Sequence, residues 1–514
     1  MLSLVLAAAA AVATPATSCE SLQSMATPQV AVTAQAMPAG PFVPPGAAPA
    51  APAAPRAGGA GRAGGAPGAA PAALPAHCRV KLVLKPTADS KINAELWLPT
   101  ENWNGRFMAV GNGGFGGSIQ GFAEMQTALR LGYATAGSDT GHDEATEGPG
   151  GMFALGHPEK IVDFAYRAVH EMTATSKKLI DRYYGNAPQY SYFKGCSTGG
   201  RQAVMAAQRY PEDFDGIIAG ALANRHIQMH TSGVARSIEL TRHPEAAIPP
   251  AKAEMVTRAV MNACDTMKEG FLNNPRACTF DFKTLACSGP DTNSCLTPAQ
   301  LTTVERFYGG VKNGKGELIF SGQALGNPLP ALRGIQAGGA PGGGFDTVRI
   351  WGFQNASYDW NSFDLDRDMP IINSKVGSVD AVDPDLSKFK ARGGKLLLYA
   401  GWGDTTITPE NTVLYYGSVL NKMGQSQGDF VRLFMVPGMA HCRGGDGPNT
   451  FDTIGTLEAW REKNVTPTQM MGFNPQSNLS RPLCAYPQVA QYKGTGNLRD
   501  ASNWSCAAPQ TSTR

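Results

Sequence analysis

The sequence predicts an α/β protein with a mostly parallel sheet and crossover helices, and three observations indicate this class. Short apolar runs that favour strands alternate with segments of helical spacing, as in parallel strands joined by helices; the runs lie at residues 107–110, 133–136, 189–193 and 214–221. A further run at residues 394–401 is apolar almost throughout, as in strands buried on both faces. The chain has 514 residues, 42% of them hydrophobic, so it can bury a large core.

The N-terminus is predicted to be a secretory signal peptide over residues 1–18. An apolar run and an alanine run lead to the small-residue pattern Ala11-Val12-Ala13, although the usual positively charged leader is missing. A membrane helix is the alternative, but the apolar run is well below the ~20 residues that a span needs. The chain is therefore expected to be secreted or periplasmic, without a membrane anchor.

Residues 19–77 are predicted to be a disordered loop or linker. Alanine, proline and glycine dominate the segment, above all between residues 26 and 76. Such a composition buries too little apolar surface to offset the entropy lost on ordering. The catalytic domain is therefore expected to comprise residues 78–221 and 390–514.

Residues 80–84 and 92–98 alternate apolar and polar side chains, as half-buried strands do. The next strand, residues 107–110, leads into residues 111–117, of which five are glycine. Glycine lets backbone amides approach a ligand closely, so this segment is a candidate binding loop. A phosphate-binding loop is one alternative, but no Gly-Lys-Ser/Thr follows; a plain flexible turn is the other.

The candidate nucleophile is Ser197. It lies between the strand at residues 189–193 and a helix-compatible run at 202–209, in the pattern Gly195-x-Ser197-x-Gly199. Small residues at these positions permit the sharp strand-to-helix turn of a nucleophile elbow. The pattern alone is only moderately specific, since glycine-flanked serines are common in loops.

Residues 222–389 differ in character from the segments around them and are predicted to be an inserted lid domain. They carry longer helical stretches, four cysteines, a second glycine-rich run and several aromatic side chains. These aromatics either line a pocket for a planar substrate or form the small core of the insertion itself.

An acid and a histidine follow the last two predicted sheet strands. Asp404 comes after residues 394–401, and His441 comes after the strand at residues 431–436. Serine, aspartate and histidine in this chain order are typical of α/β-hydrolases. His441 would take the proton of Ser197, and Asp404 would orient the imidazole and stabilise its charged form.

Two backbone amides are candidates for binding the oxyanion of the reaction. The first is the amide of Thr198, directly after the nucleophile, and the second is best placed at Gly114 in the glycine-rich segment. Three residues are rivals of the catalytic acid and base. His142 precedes the serine among neighbouring acids, while Asp213 and Asp215 are candidates for turn positions.

Ten cysteines, an even number, indicate disulfides formed in an oxidising compartment. Proximity in sequence favours Cys264 with Cys278, Cys287 with Cys295, and Cys484 with Cys506, which leaves Cys19, Cys78, Cys196 and Cys442. Cys196 precedes Ser197 and Cys442 follows His441, so assembly of the catalytic residues would bring these two thiols together. A disulfide there would link the nucleophile to the base.

Composition argues against two other classes of function. The net charge is only +3, and the sequence contains no basic stripe or stacking-aromatic pattern, so nucleic acid is not an expected partner. The absence of a C-x-x-C pair or a histidine-rich partner set predicts no metal site.

The chain resembles the tannase and feruloyl esterase family, which also contains mono(2-hydroxyethyl) terephthalate hydrolase. The resemblance runs from about Cys19 to Cys506. Its motifs are Trp103-Asn104-Gly105-Arg106-Phe107, Gly195-Cys196-Ser197-Thr198-Gly199-Gly200-Arg201, Val436-Pro437-Gly438-Met439-Ala440-His441-Cys442 and Tyr492-Lys493-Gly494. It implies a disulfide between the neighbours of the serine and the histidine, and the further pairs Cys19–Cys78 and Cys484–Cys506.

One segment departs from the family. Its members commonly carry a calcium loop, rich in Asp and Gly, between the cysteines that match Cys264 and Cys278. Here the segment is shorter and has two carboxylates, Asp265 and Glu269, whereas calcium takes roughly six to eight oxygen ligands. We expect weak or absent calcium binding and no other cofactor.

The resemblance implies a secreted serine esterase that cleaves small aromatic esters, of the feruloyl or galloyl type, through an acyl-serine intermediate. A terephthalate monoester hydrolase is one alternative. A non-catalytic or peptidase-like homologue of the fold is the other.

Overall fold

The computed structural model of the protein describes residues 14–42, 73–337 and 339–509. The strands in these ranges are β1 (Val30–Met37), β2 (His77–Leu84), β3 (Ile92–Pro99), β4 (Arg106–Val110), β5 (Ala134–Ser138), β6 (Tyr190–Cys196), β7 (Gly216–Gly220), β8 (Val311–Lys312), β9 (Leu318–Phe320), β10 (Lys395–Gly401), β11 (Val431–Val436), β12 (Gln469–Asn474), β13 (Leu479–Cys484), β14 (Val489–Tyr492) and β15 (Trp504–Ala507).

The helices in the same ranges are α1 (Phe122–Arg130), α2 (Glu144–Glu147), α3 (Pro158–Val162), α4 (Ala168–Tyr184), α5 (Thr198–Arg209), α6 (His226–Arg242), α7 (Pro250–Cys264), α8 (Pro298–Gly309), α9 (Leu365–Val376), α10 (Ser387–Ala391), α11 (Pro409–Met423) and α12 (Thr453–Lys463). Two π-helical segments, Asp163–Arg167 and Thr347–Gly352, lie between them. No described helix is long and apolar enough to cross a membrane.

A single large sheet organises the described residues. Its nine strands lie in the order β1-β2-β3-β5-β4-β6-β7-β10-β11. Every neighbouring pair from β5 to β11 is parallel, whereas β1, β2, β3 and β5 pair antiparallel. The prediction of a mostly parallel sheet with crossover helices is confirmed.

The sheet is buried on both faces, as the apolar runs in its central strands predict. Alternate residues of β10 illustrate this: Leu396 and Leu398 belong to the core on one face, and Leu397 to the core on the other. Phe193 and Tyr192 of β6 divide in the same way. The carboxyl ends of the parallel strands are therefore held in a fixed arrangement at one edge of the sheet.

The prediction of a disordered linker over residues 19–77 was wrong near its start. Residues 30–37 form β1, which pairs with β2 from Val30 opposite Leu84 to Met37 opposite His77. Val32 and Ala34 are buried in the core, so small side chains suffice to fill this edge of the sheet. Residues 43–72 of the linker, and residues 1–13 of the predicted signal peptide, lie outside the described residues.

The insertion, residues 222–389, lies between β7 and β10 and contributes to two apolar clusters. One contains Phe345, Trp351 and Phe363 together with Phe153 and Phe164 from the segment before β6. A second contains Phe307 and side chains of α7 and α8. The aromatics of the insertion therefore take part in packing, some within the insertion itself and some against the segment before β6.

The C-terminal region is more regular than its sequence suggests. Residues after α12 form two antiparallel pairs of strands, β12 with β13 and β14 with β15. Burial alternates along β12, where Met470, Gly472 and Asn474 face inward. Because glycine and asparagine occupy two of these inward positions, the sequence does not alternate between apolar and polar residues here.

Candidate active site

Ser197 lies at a sharp turn between β6 and α5. Its φ is +65°, which a side chain other than glycine adopts only when its surroundings impose it. The Ser197 N–H donates to Gly220 O at 3.0 Å, and Ser197 O accepts from Arg201 N at 3.0 Å. A Cβ on Gly195 would lie 2.4 Å from Gly199 O, so this position requires glycine. These contacts create the predicted nucleophile elbow.

Asp404 and His441 meet in the loops after β10 and β11. The Nδ1 atom of His441 lies 2.7 Å from Asp404 Oδ2. The other carboxylate oxygen of Asp404 accepts the N–H groups of Thr406 at 2.8 Å and Ile407 at 2.9 Å. Asp404 is fully buried, so its charge is held by these three donors. The carboxylate fixes the Nδ1–H tautomer, which leaves Nε2 of His441 as the proton acceptor.

Ser197 and His441 line the same cavity, whose volume is 790 Å³. No hydrogen bond joins the Ser197 hydroxyl to His441 among the contacts of the described chain. Catalytic hydrogen bonds of this kind are often long without substrate and tighten in the Michaelis complex. Sharing one cavity is what a nucleophile and its base require.

The five disulfides of the structure match the pairs expected from the sequence and from the resemblance. They are Cys19–Cys78, Cys196–Cys442, Cys264–Cys278, Cys287–Cys295 and Cys484–Cys506. The pair Cys196–Cys442 joins residues 246 apart in sequence. It connects the neighbour of Ser197 to the neighbour of His441, so the loops that carry these two candidate residues are covalently linked.

The glycine-rich segment lies beside the elbow. Gly114 and Thr198 both line the cavity of Ser197, and the Thr198 hydroxyl donates to Gly114 O at 2.6 Å. Neither the Gly114 N–H nor the Thr198 N–H donates to another described residue. Two free N–H groups beside a serine can bind an oxyanion.

Two residues that sequence reasoning missed hold this segment in place. Asn112 N–H donates to Gln202 Oε1 at 3.0 Å, and Gln202 Nε2 donates to Asn112 Oδ1 at 3.2 Å. Both side chains are buried, and Gly199 N–H donates to Asn112 O at 2.7 Å. Asn112 could have been singled out from the sequence, because it is a polar residue within the glycine-rich segment.

Aromatic and histidine rings line the side of the cavity next to the insertion. His226 and His230 of α6 lie with their ring centroids 4.1 Å apart, and Phe115 contacts both. Burial lowers the pKa of His230 to about 4 and that of His226 well below its ordinary value. Both rings are therefore neutral at pH 7 and form a largely apolar wall. Their spacing of four residues on a helix could have indicated this shared face.

The three rival residues do not line the cavity of Ser197. His142 is buried and stacks on Phe153 with ring centroids 3.6 Å apart, and burial lowers its pKa to about 3. Asp213 accepts from His170, and Asp215 accepts the N–H of Ser191. These partners give the rivals structural roles.

The residues between Cys264 and Cys278 do not fit a calcium ion. The Asp265 carboxylate accepts the N–H groups of Glu269 and Gly270 at 3.1 and 2.9 Å. Glu269 pairs through both oxygens with the buried guanidinium of Arg481, at 2.6 and 3.0 Å. Both carboxylates thus have partners, and a cation, Arg481, already neutralises Glu269.

One group of side chains in the described ranges has the spacing of a metal site: Cys287, Asp291 and Cys295. Its two thiols are joined in a disulfide, and Asp291 pairs with Lys252. Oxidised cysteines offer no thiolate to a metal.

Chain order decides the class of the protein. In α/β-hydrolases the nucleophile precedes the acid and the acid precedes the histidine, unlike two other enzyme folds that use the same three residue types. Residues 197, 404 and 441 follow this order, and each comes at the carboxyl end of a strand in one sheet. The protein is an α/β-hydrolase.

Comparison with known proteins narrows this class. The family model described as "Tannase and feruloyl esterase" matches residues 78–332 and 343–507. An uncharacterized esterase of Xanthomonas campestris pv. campestris is 36% identical over 492 residues, covering 84% of this chain and 85% of that protein. Mono(2-hydroxyethyl) terephthalate hydrolase of Piscinibacter sakaiensis is 31% identical over 522 residues, covering 85% and 86%. The crystal structure of feruloyl esterase B from Aspergillus oryzae superposes with a TM-score of 0.83 at 28% identity, covering 95% of this chain and 99% of that chain.

The chain belongs to the tannase and feruloyl esterase family, and it is a carboxylic ester hydrolase. The resemblance carried by the motifs around Trp103, Ser197 and His441 is thereby confirmed.

Proposed function

We propose that this protein is a secreted serine esterase that hydrolyses carboxylic esters of aromatic acids, of the feruloyl or galloyl type. The observation that carries the proposal is the cavity shared by Ser197 and His441, with Asp404 bonded to the histidine. The aromatic wall of Phe115 and the neutral rings of His226 and His230 suits a planar acid. Similarity to feruloyl esterase B supports the same substrate class.

The reaction proceeds through an acyl-serine intermediate. Nε2 of His441 takes the proton of the Ser197 hydroxyl while its oxygen attacks the ester carbonyl carbon. The N–H groups of Gly114 and Thr198 bind the resulting oxyanion. Collapse of this intermediate expels the alcohol, which receives the proton from His441. A water molecule, deprotonated by His441, then attacks the carbonyl carbon of the acyl-serine. Collapse of this second intermediate breaks the bond to the Ser197 oxygen, which receives the proton back from His441, and the acid is released.

The proposed mechanism uses no cofactor and no calcium. This proposal is supported by the hydrogen bonds that already occupy the carboxylates of Asp265 and Glu269. Arg481 also neutralises the charge of Glu269. Addition of a chelator is expected to leave the melting temperature unchanged. A large drop in melting temperature would show that calcium stabilises the fold.

Five disulfides support export to an oxidising compartment, either outside the cell or in the periplasm. Fractionation of producing cells tests this part of the proposal. Recovery of the protein in the cytoplasm with free thiols would contradict it.

Two other functions are distinguished from the proposal by substrate. A terephthalate monoester hydrolase is the second candidate, supported by the relative that bears that activity in its name. A non-catalytic or peptidase-like homologue is the third.

Turnover of p-nitrophenyl acetate, methyl ferulate, methyl gallate and mono(2-hydroxyethyl) terephthalate should be measured side by side, with a peptide p-nitroanilide as the amide control. Wild type is expected to cleave an aromatic ester, and Ser197→Ala is expected to lose at least about 10³-fold in kcat/KM. Equal rates in the two proteins would refute the esterase mechanism. Preferential cleavage of the terephthalate monoester or of the anilide would select the second or the third candidate.

A further inference from the structure

Lys194 has an unusual position for a lysine. It lies in β6, three residues before Ser197, and its side chain lines the cavity of Ser197. It also lines a second cavity of 460 Å³, and it is the residue shared by the linings of these two cavities. Lys194 is half-buried, and it lies where the linings of the two cavities meet.

The charge of Lys194 has no direct partner. Its ammonium forms no hydrogen bond and no ion pair with any described residue. The nearest acids, Glu124 and Asp452, act on it only at longer range, one lining each cavity. Burial lowers the pKa of Lys194, which expresses the cost of keeping an unpaired cation away from water. An anion bound beside it would offset that cost.

Other polar residues line the cavity of Ser197 together with Lys194. Tyr399 lines the same cavity, and its hydroxyl has no partner in the described ranges. Arg443 is an exposed second cation in the lining, and Glu124 is the one carboxylate there. Lys194, Tyr399 and Arg443 differ in chemistry from the aromatic wall of Phe115, His226 and His230, which lines the same cavity. One cavity thus offers an apolar surface for a ring and a positive surface for an anion.

We propose that Lys194 is a specificity-determining residue that binds a carboxylate carried by the ester substrate. This inference rests on the proposed esterase function and names a substrate class within it. The carboxylate has two possible sources. It is carried by the acid part in a terephthalate monoester, and by the alcohol part in a feruloyl ester of a hydroxy acid such as quinate. In both, the ammonium of Lys194 would donate to the carboxylate in a charge-assisted hydrogen bond.

Matched pairs of esters test the proposal. One pair is feruloyl quinate and its quinate methyl ester, and the other is mono(2-hydroxyethyl) and bis(2-hydroxyethyl) terephthalate. For each pair the ratio of KM for the anionic ester to KM for the neutral ester is measured. In Lys194→Met this ratio is expected to rise about tenfold for at least one pair, because a hydrogen bond to a charged group is lost. The pair that responds identifies the source of the carboxylate.

Three controls sharpen the result. Lys178→Met removes the same charge from an exposed position on α4 and should keep the wild-type ratio. Lys194→Arg should restore most of the preference, because a cation is retained. Glu124→Gln should lower KM for the anionic ester, since it removes the competing carboxylate. An unchanged ratio in Lys194→Met for both pairs would overturn the proposal.

Wild type provides a test that does not depend on folding of a variant. Added salt is expected to raise KM for the anionic ester more than for the neutral one, since screening weakens the contact. Equal response of the two esters to salt would count against Lys194. Failure of wild type to cleave any of the four esters would instead refute the proposed function, and the two outcomes are therefore distinguishable.

Discussion

Two histidines of this protein make almost the same contact with an aspartate. His441 Nδ1 lies 2.7 Å from Asp404 Oδ2, and His170 Nδ1 lies 2.9 Å from Asp213 Oδ2. The first pair lies in loops after two sheet strands, and its histidine lines the same cavity as Ser197. In the second pair His170 lies on α4, where its ring stacks on Tyr210 with centroids 3.8 Å apart.

A histidine–aspartate contact therefore does not by itself identify a catalytic pair. The two pairs differ in the position of the histidine relative to a candidate nucleophile. They also differ in the hydrogen-bond donors that hold the carboxylate. Asp404 is held by two backbone N–H groups of its own loop, so it is fixed where the sheet ends. His170 and Asp213 instead connect α4 to the segment after α5.

The largest expected difference concerns the two histidines. His441→Ala should lower kcat by about 10⁵- to 10⁶-fold, because Ser197 loses its proton acceptor. His170→Ala should keep a kcat close to that of wild type. Ester hydrolysis by the two purified variants measures this. Comparable losses of kcat in both would contradict a special role of His441 in the reaction.

Substitution of Asp404 should likewise lower kcat far more than substitution of Asp213. Asp404→Asn is expected to lower kcat by about 10⁴-fold, since an amide donor beside Nδ1 favours the tautomer with its proton on Nε2. Asp213→Asn serves as the matched control and should leave kcat nearly unchanged. The pH dependence of kcat/KM separates a loss of base function from a loss of folded protein. Full activity of Asp404→Asn would assign the orienting role to another residue.

The third difference is covalent, because only His441 has a disulfide beside it that leads to the nucleophile. The double variant Cys196→Ser, Cys442→Ser should lose about 2–5 kcal/mol of unfolding free energy, since the closed loop is long. It should also lose activity. Cys287→Ser with Cys295→Ser removes a disulfide that spans only 8 residues within the insertion and should retain activity. Denaturant unfolding and ester turnover on the same samples test both statements.

The smallest effect concerns His170 and pH. The hydrogen bond that His170 donates to the Asp213 carboxylate raises the pKa of His170 above its ordinary value. The pair therefore stabilises the fold below the ordinary histidine pKa, and this stabilisation is lost as pH rises through the raised pKa. The difference in unfolding free energy between wild type and His170→Gln should be larger near about pH 6 than near about pH 9, by up to about 1 kcal/mol. Urea unfolding at the two pH values measures it, and a constant difference would contradict the assignment.

The positions of Ser197, Asp404 and His441 were predictable because each depends on a local signal, a loop residue directly after a strand of recognisable pattern. The placement of Gly114 beside Thr198 followed from the same logic. In contrast, β1 was missed because its strand character depends on β2, whose residues lie far along the chain. The isolation of Lys194 was equally hidden. It depends on the positions that α1 and the start of α12 give to Glu124 and Asp452. Because both residues are far from Lys194 in sequence, no local pattern predicts these positions.

The disulfide between Cys196 and Cys442 also has a consequence for the order of events during synthesis. Cys196, the neighbour of the candidate nucleophile, is made 246 residues before Cys442, and the entire insertion is made between them. A nascent chain that ends before β11 has a serine at its elbow but no histidine to activate it. The proposed mechanism therefore predicts that hydrolytic activity arises only after β11 and the loop of His441 have joined the sheet.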